Sequence, residues 1–192
     1  MTNKFPLHNF STDEVLFVFA LKSEAAEEFA GYNRLITGIG KISAAYTLTK
    51  QVQQKKPSLI VNLGSAGSSM FKKGEVICCS KFIQRDMDVR GLGYRQYETP
   101  LSNISPVLEY GMVLPEIAQG ICGTGDVFEM NNFCNDYNVI DMEAYALALI
   151  AMKENISFLC LKYISDGADG LAADDWPVHV HKAATAFKEV LF

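Results

Sequence analysis

The sequence is short of the residues that most often announce a function. Its 192 residues include three histidines, His8, His179 and His181, which form no ligand cluster. The five cysteines, Cys78, Cys79, Cys122, Cys134 and Cys160, are odd in number and show no zinc spacing. Several lie in apolar runs, so they read as reduced core thiols rather than a disulfide framework. No metal site is expected. There is no long basic block, and the formal charge is −5, so nothing offers a nucleic-acid surface. The apolar run at residues 15–20 is far too short to cross a membrane. The N-terminus carries Lys4 but no sustained apolar stretch followed by a cleavage site. The glycine loops are incomplete as phosphate motifs. Gly38-Ile39-Gly40-Lys41 lacks P-loop spacing and the Ser/Thr after lysine, and Gly123-Thr124-Gly125 lacks the full dinucleotide pattern. These absences predict a cytoplasmic protein with no cofactor and no membrane or nucleic-acid partner.

What is present is an apolar content of 49% in a chain long enough for a sizeable core. One domain over residues 1–192 is expected. Apolar runs at 15–20, 35–39, 58–63, 75–80, 119–122, 137–142 and 157–164 read as strands. Residues 42–54 and 144–153 read as helices, with Ala44, Ala45 and Leu48 at helical spacing in the first. A further helix starts near Ser23 as N-cap, and a final one runs over 178–190. Residues 64–68 read as a small-residue loop, and 81–115 as irregular, substrate-facing chain. Strands apolar on both faces, alternating with helices, predict an α/β fold: three αβα layers around a mixed, twisted sheet. In such folds ligands settle at the carboxyl ends of strands. The segments bearing Glu24, Ser65, Asp126, Glu143 and Asp166 all fall there.

The acids carry the chemistry. An ionised carboxylate only accepts hydrogen bonds, so Glu143 matches the paired hydroxyls of a ribose, with Met142 as an apolar wall. Its bland role is a helix-end carboxylate satisfied by backbone N–H groups. Asp166, flanked by Ser165 and Gly167, reads either as an Asx turn or as a proton donor to a leaving heterocycle. Glu24 sits among Glu27 and Glu28, so its default is a solvated helix face. Its sharper role is a base that activates water. Phe128 suits stacking on a planar base or packing in the core. Trp176, placed in the last loop before the terminal helix, suits covering a pocket or anchoring that helix.

The ordered set Phe19-Ala20-Leu21-Lys22-Ser23-Glu24, Gly38-Ile39-Gly40-Lys41, Asn62-Leu63-Gly64-Ser65-Ala66-Gly67, Gly125-Asp126-Val127-Phe128, Asp141-Met142-Glu143-Ala144 and Ile164-Ser165-Asp166 resembles the purine nucleoside phosphorylase and nucleosidase superfamily. It is most similar to the methylthioadenosine/S-adenosylhomocysteine nucleosidases. The resemblance implies a nucleoside phosphorylase-like fold and hydrolysis of the N-glycosidic bond of an adenine nucleoside. It implies Glu24 as water-activating base and Asp166, beside Ser165, as proton donor. It further implies Ala66 and Gly67 beside the nucleoside, Phe128 on the purine, and Met142 and Glu143 at the ribose. It implies a homodimer with a small-molecule purine nucleoside as partner. A phosphorylase would need arginines for phosphate. Only Arg85 and Arg90, in the irregular stretch, keep that alternative, and a catalytically silent nucleoside-binding protein is the third. Lys162 stands where arginine is common in the family, which points to a different pocket for the 5′ substituent.

Overall fold

The computed structural model describes residues 6–131 and 134–192. Lys4, used above for the N-terminal reading, lies outside the described residues, as does the side chain of His8. The sheet is built from β1 (Val15–Phe19), β2 (Arg34–Ile36), β3 (Leu59–Gly67), β4 (Val76–Gln84), β5 (Val107–Glu109), β6 (Ala118–Thr124), β7 (Val139–Asp141) and β8 (Ser157–Asp166). It is mixed, as expected: β1, β3 and β8 run parallel, while β4 pairs antiparallel with β8 and parallel with β6. The strand β7 follows β6 in parallel and touches the far end of β3 through Gly67 and Ile140, antiparallel. The path β3–β8–β4–β6–β7 therefore closes on itself, and β1 and β2 extend the sheet beyond β3.

Alternation along the strands explains the layers. On β1, Leu16 and Val18 pack with α2 (Lys41–Gln54) and α3 (Ala144–Lys153), through Ala44, Leu48, Val52 and the alanine-rich face of α3. Val15, Phe17 and Phe19 face the other way. They meet Ala25 of α1 (Lys22–Ala25), Phe29, and Phe187 and Leu191 of α5 (Ala183–Leu191). Phe29 centres this second layer, with ring centroids 5.4 Å from Phe17 and 5.1 Å from Phe19. Each fully buried side chain of this size contributes roughly 1.5–3 kcal/mol of transfer free energy.

Several boundaries differ from expectation. The small-residue stretch 64–67 is not loop but the end of β3, because β8 continues beside it in register up to an irregularity at Ala66/Gly67. Residues 81–115 carry the end of β4, a 3₁₀ turn at Arg90–Leu92 and the edge strand β5. Ser23 is the second residue of α1 and caps nothing. The single terminal helix is three pieces: α4 (Ala172–His179), a 3₁₀ turn (Val180–Lys182) and α5.

Candidate active site

The carboxyl ends of β1, β3, β6, β7 and β8 open on one cleft of about 220 Å³. Glu24, Ala66, Gly67, Phe128, Met142, Glu143, Ser165 and Asp166 all line it. Phe128 reaches it from the loop after β6 and is 44% exposed, so the core alternative for this ring does not hold.

Glu24 is not on a solvated helix face. It is 3% exposed, whereas Glu27 and Glu28 face solvent. The chain turns into α1 immediately after β1, which points Glu24 back at the sheet end. Its Oε2 accepts the backbone N–H groups of Ala20 (3.1 Å) and Leu21 (3.0 Å). Its Oε1 accepts the Ser65 N–H (2.8 Å) and the Ser65 hydroxyl (2.7 Å). Four donors on one carboxylate match the roughly four lone-pair positions it presents.

Glu143 follows β7 and occupies the N-cap position of α3. Its Oε1 accepts the N–H of Gly40, 2.8 Å away at the start of α2. Gly40 can present that N–H because its φ of 91° lies in the region glycine tolerates. Burial pushes the Glu143 carboxyl up to about 8, and the negative charge of Asp141 adds to the rise. Lys162 and the Gly40 N–H oppose it.

Asp166 ends β8, and burial raises its carboxyl above the ordinary range. The Ala168 N–H donates to Oδ1 (2.9 Å) and the Ser165 hydroxyl to Oδ2 (2.9 Å), both favouring the charged form less strongly. The Asx-turn bond and the cleft position are thus both present. Gly67 makes room for this carboxyl: a Cβ there would stand 2.6 Å from Asp166 Oδ1.

The chain as a whole has known counterparts. The phosphorylase superfamily profile matches residues 34–191. A curated 5′-methylthioadenosine/S-adenosylhomocysteine nucleosidase of Haemophilus influenzae (strain PittEE) is 31% identical over 159 residues, spanning 72% of this chain and 69% of the relative. The chain belongs to the phosphorylase superfamily, in its methylthioadenosine/S-adenosylhomocysteine nucleosidase family. A second family member, from Listeria monocytogenes serotype 4a (strain HCC23), is 29% identical over 174 residues, spanning 78% of this chain and 75% of that one.

Solved structures agree on the fold. The Helicobacter pylori 5′-methylthioadenosine/S-adenosylhomocysteine nucleosidase with butyl-thio-DADMe-Immucillin-A superposes with a TM-score of 0.81 at 18% identity, covering 92% of this chain and 96% of that one. Futalosine hydrolase from the same organism gives 0.83 at 17% identity, covering 92% and 94%. At these identities the likeness establishes the fold alone.

Beneath the nucleosidase-family cleft lies a pair that sequence reasoning misplaced. Lys162 does not line the pocket. Its ammonium is buried inside the curled sheet, 2.7 Å from Asp141 Oδ2, with both side chains 1% exposed. Burial works against both charges, yet each holds the other ionised: Lys162 well above the usual lysine range, Asp141 below the usual carboxylate range. Asp141 also accepts the Thr124 hydroxyl (2.6 Å) and the N–H groups of Glu143 (3.2 Å) and Ala144 (2.8 Å). It therefore fixes the backbone that presents Glu143. The available signal was a lysine inside an apolar strand run, which demands a buried partner.

Three further residues of the cleft were missed or left open. Arg85 enters at the end of β4, where its guanidinium donates to the Val127 carbonyl and pairs with Glu129 (3.2 Å). Arg90 lies away from the cleft lining, bound to Asp88 (2.6 Å). Ile39 lines the mouth. Trp176 belongs to α4 rather than a loop, lines the cleft, and donates its indole N–H to Ser65 Oγ (2.9 Å).

Proposed function

We propose that this chain is an N-glycosidase that hydrolyses the N-glycosidic bond of an adenine nucleoside, with 5′-methylthioadenosine and S-adenosylhomocysteine as the leading substrates. The observation that carries this is the convergence of three buried carboxylates, Glu24, Glu143 and Asp166, on one cleft whose exposed aromatic is Phe128. The substrates come from the names of the family members to which the chain is similar.

Each carboxylate has a task that its surroundings suit. Phe128 and the backbone of Ala66 and Gly67 bound the slot for the nucleoside. Glu143, with Met142 beside it, accepts the ribose hydroxyls. Their donation favours its ionised form, and its charge then lies beside the positive sugar of an oxocarbenium-like transition state. Asp166, raised by burial and oriented by Ser165, gives its proton to a ring nitrogen of the purine. The C–N bond breaks with its electron pair going to the base. Water adds to the anomeric carbon and its proton passes to Glu24.

Water rather than phosphate is the acceptor in this scheme. Arg85 is the one cation among the described residues lining the cleft, and both terminal nitrogens of its guanidinium are already engaged by Glu129 and Val127, leaving only the buried Nε without a partner. A phosphate dianion would lie against Glu24 with no free arginine fork. We place the protein in the cytoplasm as a homodimer. The exposed apolar side chains of Ile39 at the cleft and of Ile42 and Tyr46 on α2 support the pairing.

A nucleoside panel assayed with and without phosphate, with products read by mass, tests the assignment. Free adenine and free sugar at equal rates in both conditions are expected, and Glu24→Gln lowers that rate by about 10²–10⁴-fold without altering the fold. A sugar 1-phosphate product, or strict phosphate dependence, would reject hydrolysis.

A further inference from the structure

The base assigned to Glu24 is coupled to the only tryptophan of the chain. Ser65 stands between them: its hydroxyl is 2.7 Å from Glu24 Oε1 and 2.9 Å from the Trp176 indole nitrogen. The directions of these two bonds are not interchangeable. An indole N–H can only donate, and an ionised carboxylate can only accept. The Ser65 oxygen must therefore accept from Trp176, and its single proton must point at Glu24. One Ser65 lone pair remains.

The backbone donors on Glu24 come from Ala20, Leu21 and Ser65 itself, all held by the chain path around β1 and β3. The Ser65 hydroxyl is the only donor of the four on a rotatable side chain. Without a second partner it is free to turn its proton elsewhere, including toward the attacking water. Trp176 removes that freedom. The helix that carries Trp176 is in turn tied to the turn before β4 by an ion pair between Asp175 and Lys73.

Resting on the assignment of Glu24 as base, we propose that Trp176 is a positioning residue for the water-activating carboxylate. Its indole N–H locks the Ser65 hydroxyl as a donor to Glu24, so that the attacking water meets the open Ser65 lone pair and no competing donor, and its proton reaches Glu24 by way of that hydroxyl. Trp176 therefore acts on the turnover step, beyond its contact area as a wall of the cleft.

The test is Trp176→Phe, which keeps an aromatic ring and removes the N–H. Its kcat for release of adenine falls roughly fivefold, the size expected for one lost hydrogen bond, while KM changes less than about twofold. In a Ser65→Ala background the same replacement has no further effect on kcat, because the relay is already broken. A tryptophan fluorescence measurement accompanies the kinetics: emission from the lone tryptophan shifts in Ser65→Ala, where the indole loses its acceptor. An unchanged kcat in Trp176→Phe overturns the proposal. So does a defect confined to KM, or one that persists in full in the Ser65→Ala background. A wild-type protein that releases no base from any nucleoside defeats the N-glycosidase assignment and this proposal with it. An active wild type that Trp176→Phe merely equals defeats the positioning role alone.

Discussion

Glu143→Gln should disable the protein and, as pH rises, improve the stability of its ligand-free form relative to the wild type by a calculable amount. In the folded chain the Glu143 carboxyl titrates at about 8, against 4.5 for an ordinary glutamate, chiefly because it is buried. Between those values the unfolded chain has lost the proton and the native chain keeps it. Native stability therefore falls as pH rises from about 4.5, and the loss levels off above about 8. At roughly 1.4 kcal/mol per pKa unit, ionisable Glu143 costs about 3 kcal/mol at pH 7 and about 5 kcal/mol above pH 8. Glutamine does not titrate, and its Oε1 can still accept the Gly40 N–H. Its amide leaves donors to be satisfied, a pH-independent cost of about 1–3 kcal/mol, so the slope with pH is the diagnostic quantity. For a chain of this size 1 kcal/mol moves the Tm by about 2–4 °C. Thermal melts from about pH 5 to pH 9 should show the variant gaining on the wild type by roughly 5–11 °C between the acid end and neutrality. A difference that is flat across this range, or that shrinks as pH rises, would refute the burial account of Glu143. Steady-state kinetics on the same samples should show kcat/KM falling, since the ribose loses an anionic acceptor.

Three other perturbations address neighbouring parts of the site. Asp166→Asn should lower kcat for adenine nucleosides by about 10²–10⁴-fold, but scarcely affect a nucleoside whose base departs without protonation. Because burial raises this carboxyl, wild-type kcat should fall as pH rises through its titration, and that limb should vanish in the variant; equal pH profiles would count against the role. Gly67→Ala places a Cβ 2.6 Å from Asp166 Oδ1 and 3.1 Å from the Ala168 Cβ. It should cost roughly 10- to 100-fold in kcat with circular dichroism unchanged, and full activity would show that Asp166 tolerates displacement. Lys162→Met strands the Asp141 carboxylate in the interior and should cost about 3–5 kcal/mol, read as a lower Tm. Adding Asp141→Asn should recover much of that loss, and a double variant no better than the single one would mean the pair is not what stabilises the curled sheet.

Much of the framework was legible locally. The helix at residues 144–153 falls where the apolar run places it, and that at 42–54 starts one residue earlier, because Ala44, Leu48 and Val52 repeat at helical spacing against a continuous core. Phe17 and Val18 are both buried, on opposite faces of β1, as strands covered on two sides require. Boundaries failed where neighbours overrode composition. Gly64-Ser65-Ala66-Gly67 looks like a loop in isolation but becomes strand because β8 pairs with it.

The site divides in the same way. Glu143 and Asp166 were readable because each closes an apolar run that must end at the rim of the sheet. Glu24 was not, since it, Glu27 and Glu28 are chemically alike and only the turn after β1 selects which one points inward. The resemblance of ordered motifs supplied what spacing alone did not.

Composition and periodicity, which depend on near neighbours in the chain, determined the α/β layering and the ends of the strands where a ligand would sit. Tertiary structure decided which polar groups meet, because those contacts join residues far apart in sequence. Gly40 reaches Glu143, Trp176 reaches Ser65, and Lys162 reaches Asp141 only once the sheet has curled and closed. Burial then converts ordinary carboxylates into groups with shifted titration, a property no local pattern encodes because it depends on how much water the finished fold excludes.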